Sequence, residues 1–200
     1  MMTTTTQDPL YLEAIALLRD WQQQAAAQEE LAEAAALATV GPDGGPEVRM
    51  VLIKAIEPQG LAFYTNCNSR KGQDLAHEPR CAVAFHWKSL HRQVRVAGTA
   101  SRLDEQTCDR YFASRPRLSQ LAAWASEQSQ PLEDRGILEE RLETCRQRFA
   151  DQDVPRPPHW VGYQLMPHRL EFWQEEPGRL HQRHLFQTQG LRWTVTMLQP

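Results

Sequence analysis

From residue 9 the apolar positions recur at helical spacing. Leu10, Ala14, Leu17, Leu18 and Trp21 share one side of a 3.6-residue repeat, and Asp8-Pro9 ahead of them supplies an N-cap and a first helical position. A helix is therefore expected to run to about Ala27. From Ala34 the period changes. "AALATV" (35–40), "EVRMVLIKAI" (47–56), "LAFYTN" (61–66), "CAVAFHW" (81–87) and "RQVRVAGTASRL" (92–103) are short apolar or alternating runs, the first three separated by the turn-rich "GPDGGP" and "EPQG". Strands that follow one another through short turns pair as antiparallel neighbours, which implies a meander or a barrel.

Helical spacing returns over about 104–150. "DEQTCDRYFASRP" and "RLSQLAAWASEQ" read as two short helices broken near Pro116. "GILEERLETCRQRF" sets Leu138, Leu142, Cys145 and Phe149 on one stripe, expected to be core. After the stiff connector "DVPRPPH", the runs 160–166, 169–174, 181–187 and 191–198 read as strands again. Strands on both sides of a helical insert fit one mainly β domain over residues 1–200. It is expected to be a closed or nearly closed antiparallel barrel with peripheral helices, with residues 1–8 as a disordered arm.

Composition narrows the class. With 24% charged and 41% hydrophobic residues the chain is an ordinary globular protein, and a net charge of −3 argues against a broad nucleic-acid surface. The four cysteines, Cys67, Cys81, Cys108 and Cys145, form no CxxC pair, so no zinc site or disulfide framework is expected, and free thiols suit a reducing cytoplasm. The amino terminus lacks a basic segment followed by an apolar run, and no stretch approaches a membrane span. Of the seven histidines, only His181 and His184 form a close pair, so no metal is expected. GxGxxG, GxxxxGK[ST] and GxSxG are all missing.

What remains is a set of cationic clusters. In "TNCNSRKGQDLA", Ser69 is a good N-cap, which puts Arg70 and Lys71 in a first turn where the helix dipole disfavours cations. An anion held there by backbone N–H groups and both side chains would account for them, although a solvated turn would tolerate the same residues. Alternation in "EVRMVLIKAI" sends Arg49, Val51 and Ile53 to one face and Met50, Leu52 and Lys54 to the other. A strand this apolar is expected to be largely covered, leaving both cations in need of partners or at snorkelling positions. Tyr111, Arg115 and Ser119 recur every four residues, a grouping that suits a second phosphate but also ordinary surface. In "EFWQEEPGRLHQRHLF", an extended strand would turn Arg179, His181 and Arg183 to one side, close to Trp173; a solvated basic edge is the bland alternative. Two anion sites with an aromatic neighbour point to two phosphorylated ligands, a cofactor and a substrate.

These segments resemble the pyridoxine (pyridoxamine) 5′-phosphate oxidase family. The resemblance rests on "RMVLIK", "FYTNCNSRKG", "RQVRVAG", "YFASRPRLSQLAAWASEQS", "RGILEE", "VPRPPHWVGY" and "EFWQEEPGRLHQR", in family order from about residue 36 onward. It implies a split antiparallel β-barrel that binds FMN at a homodimer interface. Arg49, Arg70, Lys71, Gln128 and Ser129 would then hold FMN at its phosphate and ribityl chain. The strand from Met50 through Val51, Leu52 and Ile53 to Lys54 would line it, together with Tyr64 and Thr65. Gln93 would reach the isoalloxazine, and Trp173 and Arg183 would approach from the other subunit. Lys54, Tyr111, Arg115 and Ser119 would grip the substrate phosphate, with Arg179 and His181 over its pyridine ring as the catalytic pair.

The activity implied is a pyridoxal 5′-phosphate synthase. Pyridoxine or pyridoxamine 5′-phosphate gives up a hydride from C4′ to flavin N5, and O2 reoxidises the flavin to give H2O2. The cofactor carries the difficult step, which suits a sequence with no triad or carboxylate dyad. Alternatives from other classes are a non-catalytic FMN- or PLP-binding split barrel and a split-barrel flavin reductase. Val161, Gln182 and Met197 stand where the family usually has Gly, Asp and a cation.

Overall fold

The computed structural model describes residues 5–200; residues 1–4 of the expected arm lie outside the described residues. Residues Thr5–Gln7 form one 3-10 turn, and α1 spans Pro9–Ala26. Asp8 caps α1 by accepting from the Leu10 amide, and its second oxygen accepts from the Trp193 amide at 3.0 Å. These backbone N–H groups, Trp193 first, hold the Asp8 carboxyl below its ordinary pKa. The helix buries Tyr11, Ala14, Ile15 and Leu18 against the barrel, while Leu10, Leu17 and Trp21 of the expected stripe flank that face half-buried.

Eight strands form one antiparallel sheet: β1 (Ala34–Val40), β2 (Pro46–Glu57), β3 (Gly60–Asn66), β4 (Arg80–Trp87), β5 (Arg92–Arg102), β6 (Trp160–Gln174), β7 (Gln182–Gln189) and β8 (Arg192–Met197). Their order is β3-β2-β1-β4-β5-β6-β7-β8, and an additional β3–β6 pairing closes the first six into a barrel. Closure removes two sheet edges, and the β7–β8 hairpin extends beyond it. β6 makes this possible by changing partners. Leu165 to Trp160 pair with Leu61 to Asn66 of β3, whereas Arg169 to Gln174 pair with β7. The sequence divides this region into two runs at Pro167-His168, but the strand is continuous. Pro167 falls between the β3 and β7 pairings, where β5 is the neighbour it pairs with, at a register shift that tolerates a proline. Opposite it the β5 register shifts at Gly98, where a Cβ would lie 2.1 Å from the Met166 carbonyl oxygen.

The barrel core is built around Phe63, Phe85, Trp87, Leu165 and Phe172. A second, smaller cluster of Cys108, Phe112, Leu121, Phe149, Val154 and Trp160 lies under α3 (Glu105–Ala113) and α4 (Arg117–Ala125). Two expectations fail here. α5 (Arg135–Arg148) buries no residue fully: Leu142 and Cys145 are half-covered, and only Phe149, beyond its end, is core. The helix rests chiefly on α4, so one neighbour covers one side. Nor is β2 covered on both faces. Ile53 is buried, but Val48, Met50 and Leu52 on the opposite face are 68%, 64% and 38% exposed, because no layer of this chain lies over them. The four cysteines are free, and no described helix is long and apolar enough to cross a membrane.

Candidate active site

The short helix α2 (Arg70–His77) begins as its sequence implies, with the Ser69 hydroxyl accepting from the Gly72 amide. Gly72 is required there, since a Cβ would sit 2.4 Å from the Cys67 carbonyl oxygen. Around this turn the structure gathers Arg49, Arg70 and Lys71, but it partners them differently. Asp74, fully buried, accepts from Thr39 Oγ1 at 2.7 Å and from Arg49 Nη2 at 3.4 Å, while Arg70 Nε lies 3.3 Å from its other oxygen. Lys71 Nζ has neutral partners only: Gln128 Oε1 at 3.1 Å, Thr65 Oγ1 at 3.2 Å and Ser69 Oγ at 3.3 Å. Burial first, then Arg49, lowers the Lys71 pKa, and Asp74 pulls it the other way.

Lys71 opens onto a cavity of about 410 Å³ between β2, β3 and the helical insert. β2 contributes Met50, Val51, Leu52 and Lys54 to its wall, and β3 contributes Tyr64 and Thr65. Tyr111, Arg115, Ser119 and Gln128 close the other side. Two groups that the sequence expected to hold separate phosphates thus face one space. Ile53 shares the strand but turns its side chain into the barrel. Ser129, in a left-handed conformation at φ 71°, is exposed beside Gln128 and does not line the cavity.

Two further wall residues, Pro116 and Trp160, were not singled out from the sequence. Trp160 organises the aromatic side of the cavity. Tyr64 stacks between it and Tyr111, with ring centroids 5.0 Å and 4.1 Å away and planes within 10° of parallel. Gly162 leaves room for this stack, since a Cβ would lie 2.8 Å from the Tyr64 ring. The Arg115 guanidinium sits 5.0 Å from the Trp160 ring centroid. Its Nη1 is buried without a hydrogen-bond partner among the described residues, and burial lowers its pKa. A desolvated cation with a free donor in a cavity wall has the chemistry of an anion receptor. A phosphorylated cofactor fits the donor set around Lys71, and a phosphorylated substrate fits that around Arg115.

The remaining expected residues lie apart from this cavity. Gln93 pairs with Trp173 across β5 and β6, and Trp173 pairs with Arg183 across β6 and β7. Arg183 gives Nε and Nη2 to Glu171 Oε1 at 2.9 and 2.7 Å, and Arg95 binds the other oxygen at 3.2 Å. The alternation expected of Arg179, His181 and Arg183 is wrong. Pro177–Arg179 form a 3-10 turn in which Gly178 and Arg179 are left-handed at φ 67° and 63°, and β7 starts only at Gln182. Pro-Gly favours this turn, which breaks the two-residue period. His181 is positioned instead by a tilted contact with Trp173, 4.6 Å between centroids at 46°, and by accepting the Glu176 amide on Nδ1 at 3.2 Å. That bond leaves the ring proton on Nε2. Gln182 turns to Glu176, its Nε2 donating to Oε1 at 2.8 Å.

A six-stranded barrel whose long strand leaves it to build a hairpin, with a cation-lined cavity on its flank, defines a split-barrel protein. PhzG from Burkholderia lata, solved with tetrahydrophenazine-1-carboxylic acid, superposes with a TM-score of 0.89 at 32% identity over 96% of both chains. A pyridoxamine 5′-phosphate oxidase-related, FMN-binding protein from Nostoc punctiforme has a TM-score of 0.74 over 91% of this chain and 95% of its own; at 15% identity it shows the shared fold alone. Residues 22–149 match the pyridoxamine 5′-phosphate oxidase family model, and residues 160–200 match the pyridoxine 5′-phosphate oxidase C-terminal dimerisation region. The pyridoxine/pyridoxamine 5′-phosphate oxidases of Sphingopyxis alaskensis and Anaeromyxobacter dehalogenans are 48% and 49% identical, covering 100% and 93% of this chain and 91% and 94% of theirs. The chain belongs to the pyridoxine/pyridoxamine 5′-phosphate oxidase family.

Proposed function

We propose that the protein is an FMN-dependent oxidase that converts pyridoxine 5′-phosphate and pyridoxamine 5′-phosphate to pyridoxal 5′-phosphate, acting as a homodimer in the cytoplasm. The observation that carries this reading is Arg115. A flavin-only binder has no use for a half-buried guanidinium whose buried Nη1 lacks a hydrogen-bond partner among the described residues, beside Tyr111, Ser119 and Lys54, whereas a phosphorylated substrate supplies the missing acceptor. Arg49, Arg70 and Lys71 hold the cofactor phosphate at the start of α2, with Gln128 and Ser129 beside the ribityl chain and the backbone of 50–54 and 64–65 along the ring system. When bound, FMN would supply the acceptor for a hydride from substrate C4′, with dioxygen taking the electrons on to hydrogen peroxide; the alcohol substrate also gives up its hydroxyl proton, and the imine formed from the amine substrate takes up water and releases ammonia.

The chain itself binds and orients. Trp173, Arg179, His181 and Arg183 lie outside their own chain's cavity, so in this reading one copy presents them, with Gln93 at the flavin edge, to the cavity of a second copy. The exposed Val48, Met50 and Leu52 of β2 fit such a pairing. Over the substrate ring, His181 offers Nε2–H as a donor and Arg179 its fixed positive charge. Incubation of the FMN-loaded protein with each vitamer phosphate should form pyridoxal 5′-phosphate with matching oxygen consumption. Unphosphorylated pyridoxine should bind about ten- to a hundredfold more weakly, the worth of the charge-assisted phosphate contacts. If neither phosphate yields the aldehyde while tetrahydrophenazine carboxylate is oxidised, the assignment fails in favour of the chemistry suggested by the ligand of the PhzG relative.

A further inference from the structure

Asp74 has no part in the chemistry above, yet it is the most deeply buried carboxylate beside the site. Its side chain is 0% exposed at the centre of a cationic group: Arg49 Nη2 lies 3.4 Å from Oδ2, Arg70 Nε lies 3.3 Å from Oδ1, and Lys71 is close enough for Asp74 to raise its pKa. Thr39, also buried, gives its hydroxyl proton to Oδ2 at 2.7 Å and accepts from Arg49 Nη1. Arg70 approaches Oδ1 off the line of a hydrogen bond, so that oxygen accepts none. A buried carboxylate in an incompletely bonded cluster is costly, and a hydrophobic residue of similar size would serve the core better. Something other than packing keeps it there.

We propose that Asp74 is a positioning residue that sets the geometry and charge of the cofactor-phosphate cradle, and thereby makes the site select FMN over riboflavin. The proposal rests on the phosphate assignment made above. Three cations stand against the buried carboxylate of Asp74 and the exposed one of Asp43, 3.8 Å from Arg70 Nη2, which leaves a net positive charge, the sign that a phosphomonoester requires. Without Asp74, three like charges would face one another when no phosphate is bound, and the two guanidiniums would spread into solvent. With it, Arg49 and Arg70 are already placed, so phosphate binding need not order them. Arg49 reaches Asp74 from β2 and Arg70 from α2, and Thr39 fixes the carboxylate from β1. The cradle is therefore spanned by three elements through one side chain.

The test is flavin-fluorescence titration of the full chain with FMN and with riboflavin, for wild type, Asp74→Asn and Thr39→Val, with circular dichroism as a check on folding. Asn keeps the shape of Asp but turns an amide donor towards a guanidinium. Asp74→Asn is expected to weaken FMN by about ten- to a hundredfold and to leave riboflavin affinity unchanged. Thr39→Val should move FMN in the same direction by about two- to fivefold, again sparing riboflavin. Equal losses for both flavins in either folded variant would reduce Asp74 to a structural role. Unchanged or tighter FMN binding in Asp74→Asn would mean that its negative charge merely opposes the phosphate. Either result overturns the proposal. If the wild-type chain itself does not prefer FMN to riboflavin, the phosphate assignment has failed first, and that failure is visible before any substitution. Should Asp74→Asn not fold, Thr39→Val alone decides between the outcomes.

Discussion

Two cations of the cavity wall, Lys71 and Arg115, are provisioned differently from Arg183 and His181 of the β6–β7 segment, although Arg49, Lys54 and Arg70 near the same cavity are ion-paired. In the first region Lys71 rests on neutral oxygens, and Arg115 has a buried donor with nothing to bind. In the second, Arg183 is held by Glu171 and by the Gln199 carbonyl, and His181 has both the tilted Trp173 ring against it and an amide to accept. One region is a receptor awaiting an anion. The other is a set of side chains fixed in place before any ligand arrives and exposed outside their own chain's cavity. An anion site can combine pre-placed, ion-paired cations such as Arg49 and Arg70 with under-partnered ones such as Lys71 and Arg115, whereas a surface offered to a second chain needs its side chains held rigid.

Substitutions can break that comparison. The largest effect is expected for Arg115→Ala, which should raise the apparent substrate dissociation constant by about ten- to a hundredfold, or roughly 1.5–3 kcal/mol, while FMN content stays stoichiometric. Co-expression of Arg115→Ala chains with Arg179→Ala chains should then restore, at low substrate concentration, more turnover than either variant shows alone, because one site of the mixed dimer regains both arginines. If mixed dimers stay inactive, the two regions do not meet across chains.

A smaller effect concerns Lys71, whose pKa is lowered from its ordinary value of 10.5. FMN affinity should fall as pH rises through that lowered pKa, since the neutral amine no longer attracts phosphate. The stability of the ligand-free protein should move the opposite way. Between the lowered pKa and 10.5 the unfolded chain binds more protons than the folded one, so raising the pH favours folding. FMN titrations and thermal melts across the alkaline range should show slopes of opposite sign, and Lys71→Gln should abolish both. Parallel slopes would mean that Lys71 does not face the phosphate. The smallest effect is expected for Gln182→Asp. It exchanges a hydrogen bond to Glu176 for mild repulsion on an exposed surface, so stability should change by no more than about 0.5 kcal/mol and FMN content not at all. A larger loss in a denaturant melt would show that the turn is more rigidly coupled than its exposure implies.

Local signals were legible where one physical rule governs. The helix beginning at Asp8-Pro9 ends within a residue of expectation, and α3 and α4 fall on either side of Pro116 as read, because caps and proline act over one turn. The Ser69 cap was equally plain. The reading failed where the answer depends on what lies opposite. Pro167 interrupts the apolar pattern yet not β6, because the strand changes partners there, and no local feature announces a partner. The stripe on α5 looked like core but rests chiefly on α4 and stays half-covered. Alternation misled at Arg179 to Arg183, where Pro177-Gly178 should have outweighed it. Trp160 and Asp74 were missed for the same reason. Their importance lies in which other side chains they touch, and those come from distant parts of the chain.

The tie between Asp8 and Trp193 has a consequence for biosynthesis. The first helix leaves the ribosome early, yet its cap is shared with a strand near the carboxyl end, and Tyr11 packs 5.0 Å from the Trp193 ring. Closing the barrel likewise waits for β6, long after β3 has been made. A nascent chain therefore carries α1 and five strands with their apolar faces open until β6 has been made, and the cap of α1 is completed only when β8 follows. Chaperone demand should be concentrated in that interval, and removing the last few residues should harm folding more than their exposed surface indicates.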